Sequence, residues 1–397
     1  MTKSAVGREF ADGWPVVLLA GLAISVGMTG IGFYSLGLFV APLQAEYGWS
    51  RAAVSGAATF EQLGIFLSAP IVGRLADRFG ARPIAIISFL LTPPAFYALS
   101  LVGPSVPAWY ALWLLVSVAG CGTTPAIWAR VVSTRFDAGR GLALGLMLVG
   151  TGFASILSPM LLGPIIAEHG WRVAVMAMAA IVLVVGLPVS LLTPRERDGT
   201  SAADQAPGPA GPRGRFERNR QSLTLLAIGL MLGAIVAGLI VHLVPMLIDR
   251  GMDMVDAAGI AAQLGVAVLA TRIVAGYLFD RFHAPYVAAA LLMSPVIASI
   301  ILLEGGPVFV AALMLGVAAG AEVDMLAYLT GRYVRLENLG ASYGLVLGIF
   351  CLGAAFGPLL FGWSVDLTGS YEAILGVSAA ILLAVVAAIA TLGRYRA

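Results

Sequence analysis

Apolar residues run through this chain in twelve long blocks, each closed by glycine, proline or a small knot of charge. The blocks lie at about 14–41, 52–76, 83–103, 107–134, 140–167, 172–193, 222–248, 255–279, 285–303, 307–331, 340–366 and 371–393. Each approaches or exceeds the roughly 20 residues a helix needs to cross a bilayer. The pattern predicts an all-α membrane protein of twelve transmembrane helices in two six-helix bundles, 1–193 and 222–397. Between them, 194–221 holds a Ser/Ala/Pro/Gly run followed by Arg213, Arg215, Arg218 and Arg220. Such a composition buries no core, which predicts a flexible cytoplasmic linker.

The polar punctuation repeats. Gly73-Arg74-Leu75-Ala76-Asp77-Arg78-Phe79-Gly80-Ala81-Arg82 joins the second and third blocks, and Gly276-Tyr277-Leu278-Phe279-Asp280-Arg281-Phe282-His283 stands 203 positions later between the eighth and ninth. The fifth and eleventh blocks repeat at an offset of 199: Gly145, Leu146, Leu148, Pro159, Leu161, Gly163 and Gly170 match Gly344, Leu345, Leu347, Pro358, Leu360, Gly362 and Gly369. Six spans followed by six similar spans is the plan of a protein in which one bundle rocks against the other.

Composition agrees: 60% of residues are hydrophobic and 11% charged, against roughly 25% charged in soluble domains. A net charge of +2 gives no footprint for nucleic acid. Cys121 and Cys351 lie inside apolar blocks and form neither a disulfide framework nor a metal-ligand spacing, so they read as small core residues. Asp12 and the length of the first block argue against a cleaved leader. Arg74, Arg78, Arg82, Arg135, Arg140, Arg195 and Arg197 fall on one side with Lys3 and Arg8, and Arg51, Arg172 and Arg250 on the other. That asymmetry places both termini in the cytoplasm of a bacterial-type inner membrane. H-E-x-x-H, G-x-x-x-x-G-K-[ST], C-x-x-C and a Ser-His-Asp set are all missing, so no enzyme, ATP-driven pump or cofactor is expected.

The paired G-x-L-x-D-R hairpins resemble the signature loop of the major facilitator superfamily, and the resemblance covers the whole chain. Asp12-Gly13-Trp14 and the stretch Leu38 to Arg51 are similar to the entrance and first outer loop of monocarboxylate and organic-anion porters. Arg272, four residues before Gly276, matches the arginine those porters place in the eighth helix. The resemblance implies the major facilitator fold and a monomeric secondary transporter. It also implies a substrate carboxylate on Arg272, with Tyr34 and Trp128 on central helices lining the cavity. Those porters often carry an acid one turn before the arginine, where this chain has Val268. The dicarboxylate exchangers among them place a second cation in the eleventh helix. This chain has no Lys or Arg there, which favours one carboxylate.

Charges inside the spans carry the chemistry, since each costs roughly 2.5–3.5 kcal/mol at mid-membrane. Arg272 lies about 12 Å above Asp280, near the midplane, and offers a planar fork for a carboxylate; a permanent salt bridge to the tenth span is the competing account. Glu322 and Asp324 lie about 12–15 Å from Arg332. Two residues apart, they point away from each other; Asp324 shares a stripe with Tyr328, a candidate ligand contact, and Glu322 one with Leu326 and Leu329. Asp324 is therefore the preferred cavity-facing proton site and Glu322 the packing residue. A substrate taking Arg272 from an acid would leave that acid to bind a proton, giving electroneutral symport. His242 is a candidate proton relay or an interhelical hydrogen-bonder. Glu61 lies about 24 Å from the inner end, and either pairs at an outer gate or titrates. Arg130 is an inner-gate partner or snorkels to the cytoplasm. Gly73, Asp77, Arg78, Asp280 and Arg281 of the hairpins are expected to latch the inner ends. Trp49, Trp109 and Trp171 read as interfacial belt residues. A proton-driven drug antiporter, and a receptor or channel of the same topology, are the alternative readings.

Overall fold

The computed structural model describes residues 5–194 and 215–393. Most of the predicted linker lies outside these residues. Among the described residues there is no strand, and twelve helices are long and apolar enough to cross a membrane. Two of these, Val6–Val26 and Met28–Tyr47, are separated by Gly27 alone and run along the same partner helix; they are one span, α1. Ala57–Phe79 has its hydropathy lowered by Glu61, Arg74, Asp77 and Arg78, and it supplies the remaining span, α2. The others are α3 (Ala81–Ser100), α4 (Val106–Ser133), α5 (Arg140–His169) and α6 (Trp171–Leu192). The second half contributes α7 (Arg220–Asp249), α8 (Met254–Arg281), α9 (Ala284–Leu303), α10 (Val308–Tyr333), α11 (Leu339–Thr368) and α12 (Glu372–Ala390).

The described chain forms two compact units, residues 5–42 with 60–194, and residues 43–59 with 215–393. Residues 43–59, which precede the body of α2 in sequence, thus pack with the second unit.

In the first unit α1 lies along α5 at a point where neither helix carries a side chain. A Cβ on Gly150 would fall 2.2 Å from the Gly21 carbonyl oxygen, and the Ser25 hydroxyl donates to the carbonyls of Gly21 and Gly150 at 2.9 and 2.8 Å. In the second unit α7 and α11 repeat the arrangement: a Cβ on Gly233 would fall 2.2 Å from the Phe350 carbonyl. Membrane helices associate through such close approach, because burying leucine against leucine gains little where lipid is equally apolar.

Both pairs are also tied at one end, where α1 and α7 begin. Glu9, at the start of α1, accepts backbone N–H bonds from Asp137, Ala138 and Gly139 in the α4–α5 loop, at 2.8–3.2 Å. Glu217, just before α7, accepts from the Arg335 N–H at 3.0 Å in the α10–α11 loop, and Arg215 N–H donates to Asn338. The described end of the predicted linker is therefore anchored. The Arg335 N–H holds the Glu217 carboxyl below its ordinary range. This contribution is present above the unfolded carboxylate range and is lost as pH falls through the folded value.

The hairpin resolves into α2, a one-residue turn at Gly80 (φ 88°) and α3. Its copy joins α8 to α9 through Phe282 and His283 in extended conformation, with Pro285 opening α9, and so needs no glycine. Trp49, Trp109 and Trp171 are buried rather than interfacial, at 8, 0 and 3% exposure. Trp109 and Trp171 meet edge to face at 6.4 Å, and Phe39 and Trp113 pack on Trp109 in the same way. The aromatic faces find one another across α1, α4 and α6, which outweighs the pull of the headgroup region.

Gly150→Leu and Gly233→Leu should each lower stability by about 1–3 kcal/mol through overpacking against backbone. Gly141→Ala, at a helical position with open space around it, should raise stability by about 0.5–1 kcal/mol. Thermal unfolding of the purified variants checks the contrast.

Candidate functional site

The second unit gathers charge at mid-span. Arg272 of α8 has an 11% exposed side chain, and its Nη1 lies 3.4 Å from Oδ2 of Asp324 on α10, whose side chain is 41% exposed. At that length the contact is at the outer limit of a hydrogen bond. Glu322 is within electrostatic reach of Arg272 too, and its Oε2 is buried with no hydrogen-bond partner. Of the two acids, Asp324 makes the contact with the guanidinium. Cys351 of α11 is exposed, not a core residue.

Tyr328 sits lower on α10. Its hydroxyl donates to the Phe279 carbonyl at 2.9 Å and accepts from Arg332 at 2.9 Å, with its ring stacked on Phe279. It ties α8 to α10. Trp128, expected to line a cavity, is 1% exposed in the first unit's core against Phe89. Tyr34 is half-buried on α1, edge-on to Phe33.

His242 is fully buried on α7. Its Nε2 is 2.9 Å from the Pro358 carbonyl and its Nδ1 2.8 Å from the Tyr371 hydroxyl. A carbonyl only accepts, so Nε2 carries the proton and Nδ1 accepts from Tyr371, which specifies one neutral tautomer. These bonds join α7 to α11 and to Tyr371, the residue before α12.

The network beside it leaves no mark in the sequence pattern. Arg51 makes a two-pronged pair with Asp249 at the end of α7, one prong at 2.8 Å, and its guanidinium lies over the Tyr371 ring at 5.1 Å. Asp366 of α11 accepts the N–H groups of Arg51 and Ala52 at 3.0 and 2.9 Å, capping the helix Arg51–Ser55. Ser55 and Thr59 donate to the carbonyls of Pro358 and Ala355. Proline at 358 leaves α11 short of one N–H, the one that would reach the Ala354 carbonyl four residues earlier. Asp249 and Asp366 stand at helix ends, where a charge in sequence reads only as a boundary.

Among the hairpin residues, Asp77 pairs with Arg130 of α4, bringing two gating candidates together. They line a crevice of about 210 Å³ with Gly73, Cys121 and Thr124. Arg78 lies over the Phe79 ring and Arg82 donates to the Leu191 carbonyl at 2.6 Å. Arg281 is exposed at the end of α8. The Asp280 side chain lies outside the described residues.

Two backbone breaks meet in the first unit, and sequence did not reveal them. Gly27 is extended and is followed by a π-helical turn, Met28–Gly32. In α4, a 3-10 turn at Cys121–Thr123 precedes extended Thr124 and Pro125. Thr123 Oγ1 accepts from the Met28 N–H at 2.9 Å, satisfying one break with the other. Glu61 of α2 lies against this turn, 1% exposed, with Oε1 3.5 Å from where a Cβ on Gly32 would be. Among the described residues no group of three His, Cys, Asp or Glu is placed to hold a metal ion.

A fold of twelve spans with mid-membrane charges and broken helices fits a carrier, and the family model described as Major Facilitator Superfamily matches residues 22–358. The chain belongs to the Major Facilitator Superfamily. As a superfamily transporter it is 28% identical over 398 residues to monocarboxylate transporter 11 of Homo sapiens, covering 94% of this chain and 81% of that one. It is 26% identical over 371 residues to the gallate transporter of Pseudomonas putida, covering 82% of this chain and 80% of that one. The crystal structure of the nucleoside transporter NupG has the same fold, with a TM-score of 0.76 at 12% identity over 97% of this chain and 99% of that one.

His242→Phe removes two buried hydrogen bonds and should destabilise the protein by about 1–3 kcal/mol while leaving the pH profile of transport unchanged; a displaced pH profile would assign His242 to a proton relay. Asp77→Asn, which weakens the pair with Arg130, should shift the resting conformation, read by cysteine labelling of single-site variants. The ranking of competing substrates should stay the same.

Proposed function

We propose that this transporter moves a small monocarboxylate together with a proton, by symport with alternating access. It acts as a monomer in a bacterial-type inner membrane, with both termini cytoplasmic. The observation that carries the reading is Arg272: a guanidinium at mid-span on α8, 11% exposed, held at 3.4 Å by the half-exposed Asp324. A guanidinium is charged throughout any cycle and matches a carboxylate with two parallel hydrogen bonds. Two of the relatives above are named as a monocarboxylate transporter and a gallate transporter, and both names concern organic acids.

The coupling follows from charge balance. With the site empty, Asp324 and Glu322 offset Arg272. An arriving carboxylate competes for the same N–H groups, and two anions beside one cation in a low-dielectric site repel strongly. Protonation of Asp324, the more exposed acid, relieves that repulsion, so substrate and proton enter as a neutral pair. Glu322 stays behind Arg272 and holds its orientation. The porters this chain resembles place the acid on the eighth helix. Here that position is Val268, fully buried against α10, where a Cβ on Gly320 would meet the Val268 carbonyl oxygen at 2.8 Å. The acids of α10 reach the arginine from the other side of that contact.

A thermal-shift screen of mono- and dicarboxylic acids should find monocarboxylates that stabilise the protein. Arg272→Ala should weaken the best of them by about 100-fold, the effect of truncating one partner of a buried ion pair. In proteoliposomes an inward proton gradient should drive accumulation, and Asp324→Asn should abolish the pH dependence of binding. A ligand whose shift persists in Arg272→Ala would remove the arginine from the site.

A further inference from the structure

Glu61 is unlike the other intramembrane charges, because among the described residues of the first unit no cation is paired with it. It lies on α2 in the first unit at 1% exposure, and its Oε2 has no hydrogen-bond partner among the described residues. Within that unit α1 touches it at Gly32, and α4 touches its helix neighbours Phe60 and Gly64. Between positions 13 and 45 of α1, and 106 and 120 of α4, there is no Asp, Glu, Lys, Arg or His. The titratable groups on these stretches are the phenols Tyr34 and Tyr110, and Tyr110 is stacked on Phe60, next to Glu61 in sequence, at 4.4 Å. An ionised carboxylate without a counter-charge or a full set of donors is not sustained in such a place, whereas a neutral carboxylic acid is.

The second observation is the backbone opposite. The π-helical turn Met28–Gly32 interrupts α1 beside Glu61, and Gly32 leaves the space into which Oε1 projects. Thr29, on the same turn, has a buried hydroxyl that is also without a hydrogen-bond partner. Single π turns inside α-helices are rare and are frequently found at functional sites. A packing fault alone does not call for a carboxyl, a glycine-made space and an unspent hydroxyl at one spot.

We propose that Glu61 is a proton-binding site of the first unit, occupied in the conformation described, and that releasing this proton requires the π turn of α1 to move and admit water. The proposal rests on the proton-symport reading and adds a second protonated group to it, remote in sequence from Arg272 and Asp324. In the step itself the Glu61 O–H bond breaks, the proton passes to water, and the carboxylate becomes hydrated. Because the ionised form has no partner in the closed arrangement, the proton must be back on Glu61 before that arrangement returns. Glu61 would then tie proton occupancy to conformation, while Asp324 ties it to substrate.

Two measurements on the full chain test this. Infrared difference spectra between acidic and alkaline pH, on protein carrying ¹³C-labelled glutamate and with no substrate added, should contain a protonated-carboxyl band that Glu61→Gln removes. In proteoliposomes Glu61→Gln should lose accumulation driven by a proton gradient but keep exchange of substrate across the membrane, since glutamine mimics the neutral acid. Should that variant fail to fold, Glu61→Asp should keep gradient-driven accumulation with a displaced pH dependence. A Glu61 that is ionised at every pH tested, or gradient-driven accumulation that survives Glu61→Gln, would overturn the proposal. An equal requirement for sodium in place of protons would overturn it as well. The infrared result needs no substrate, so it stands even if no carboxylate proves to be transported.

Discussion

Hydrocarbon supplies neither water for backbone groups nor a hydrophobic drive for helices to cluster, and the architecture follows from that double lack. Cohesion comes instead from carbonyl-to-glycine contacts. Gly150 against Gly21, and Gly233 against Phe350, let the α1–α5 and α7–α11 pairs approach until backbones touch. Closeness of this kind tolerates little sideways adjustment, so each pair behaves as one stiff element. Glu9 and Glu217 extend the stiffness past the membrane by holding the loops before α5 and α11. Both carboxylates accept backbone N–H groups, so the tether does not depend on which side chains the loops carry.

Both units also carry irregular backbone. In the first unit the breaks in α1 and α4 satisfy each other through Thr123 and Met28, at the level where Glu61 is buried. In the second unit the irregularity is Pro358, whose carbonyl is taken by His242 and Ser55. The two units thus use their irregular stretches differently. One encloses an acid without a counter-charge; the other is fastened by hydroxyls and an imidazole, with its charges paired lower down on α8 and α10.

Much of this was legible in sequence, and for identifiable reasons. Span number, repeat and superfamily follow from block length and from G-x-L-x-D-R, because hydrophobic length and turn chemistry act locally. Arg272, Glu322, Asp324 and Glu61 were conspicuous because charge within an apolar block has few innocent explanations. What could not be read were pairings. Asp77 with Arg130, Arg51 with Asp249, and Glu9 with the α4–α5 loop depend on which helices are neighbours, and span patterns do not specify that. Trp128 was misplaced for the same reason: a helix near the centre has a face turned toward its own bundle, and the indole is on it. The breaks at Gly27 and Thr123 escaped because glycine and threonine within an apolar run also suit an unbroken helix.

The unequal copy of the hairpin bears on where the acid sits. In the first copy Gly80 makes the turn and Asp77 is held by Arg130. In the second the turn is extended and prolyl, and the helix leading into it carries Arg272. α8 lies so close to α10, through Val268 at Gly320 and the Leu264 carbonyl at Gly316, that an acid at 268 would be pressed against backbone with no room for water or a substrate. Placing the acids at 322 and 324 keeps the tight contact and still brings carboxylates to the guanidinium. The arginine stays where the resemblance puts it while its partner changes helix. Charge balance at the site restrains the sum of its charges more than the helix that supplies each one.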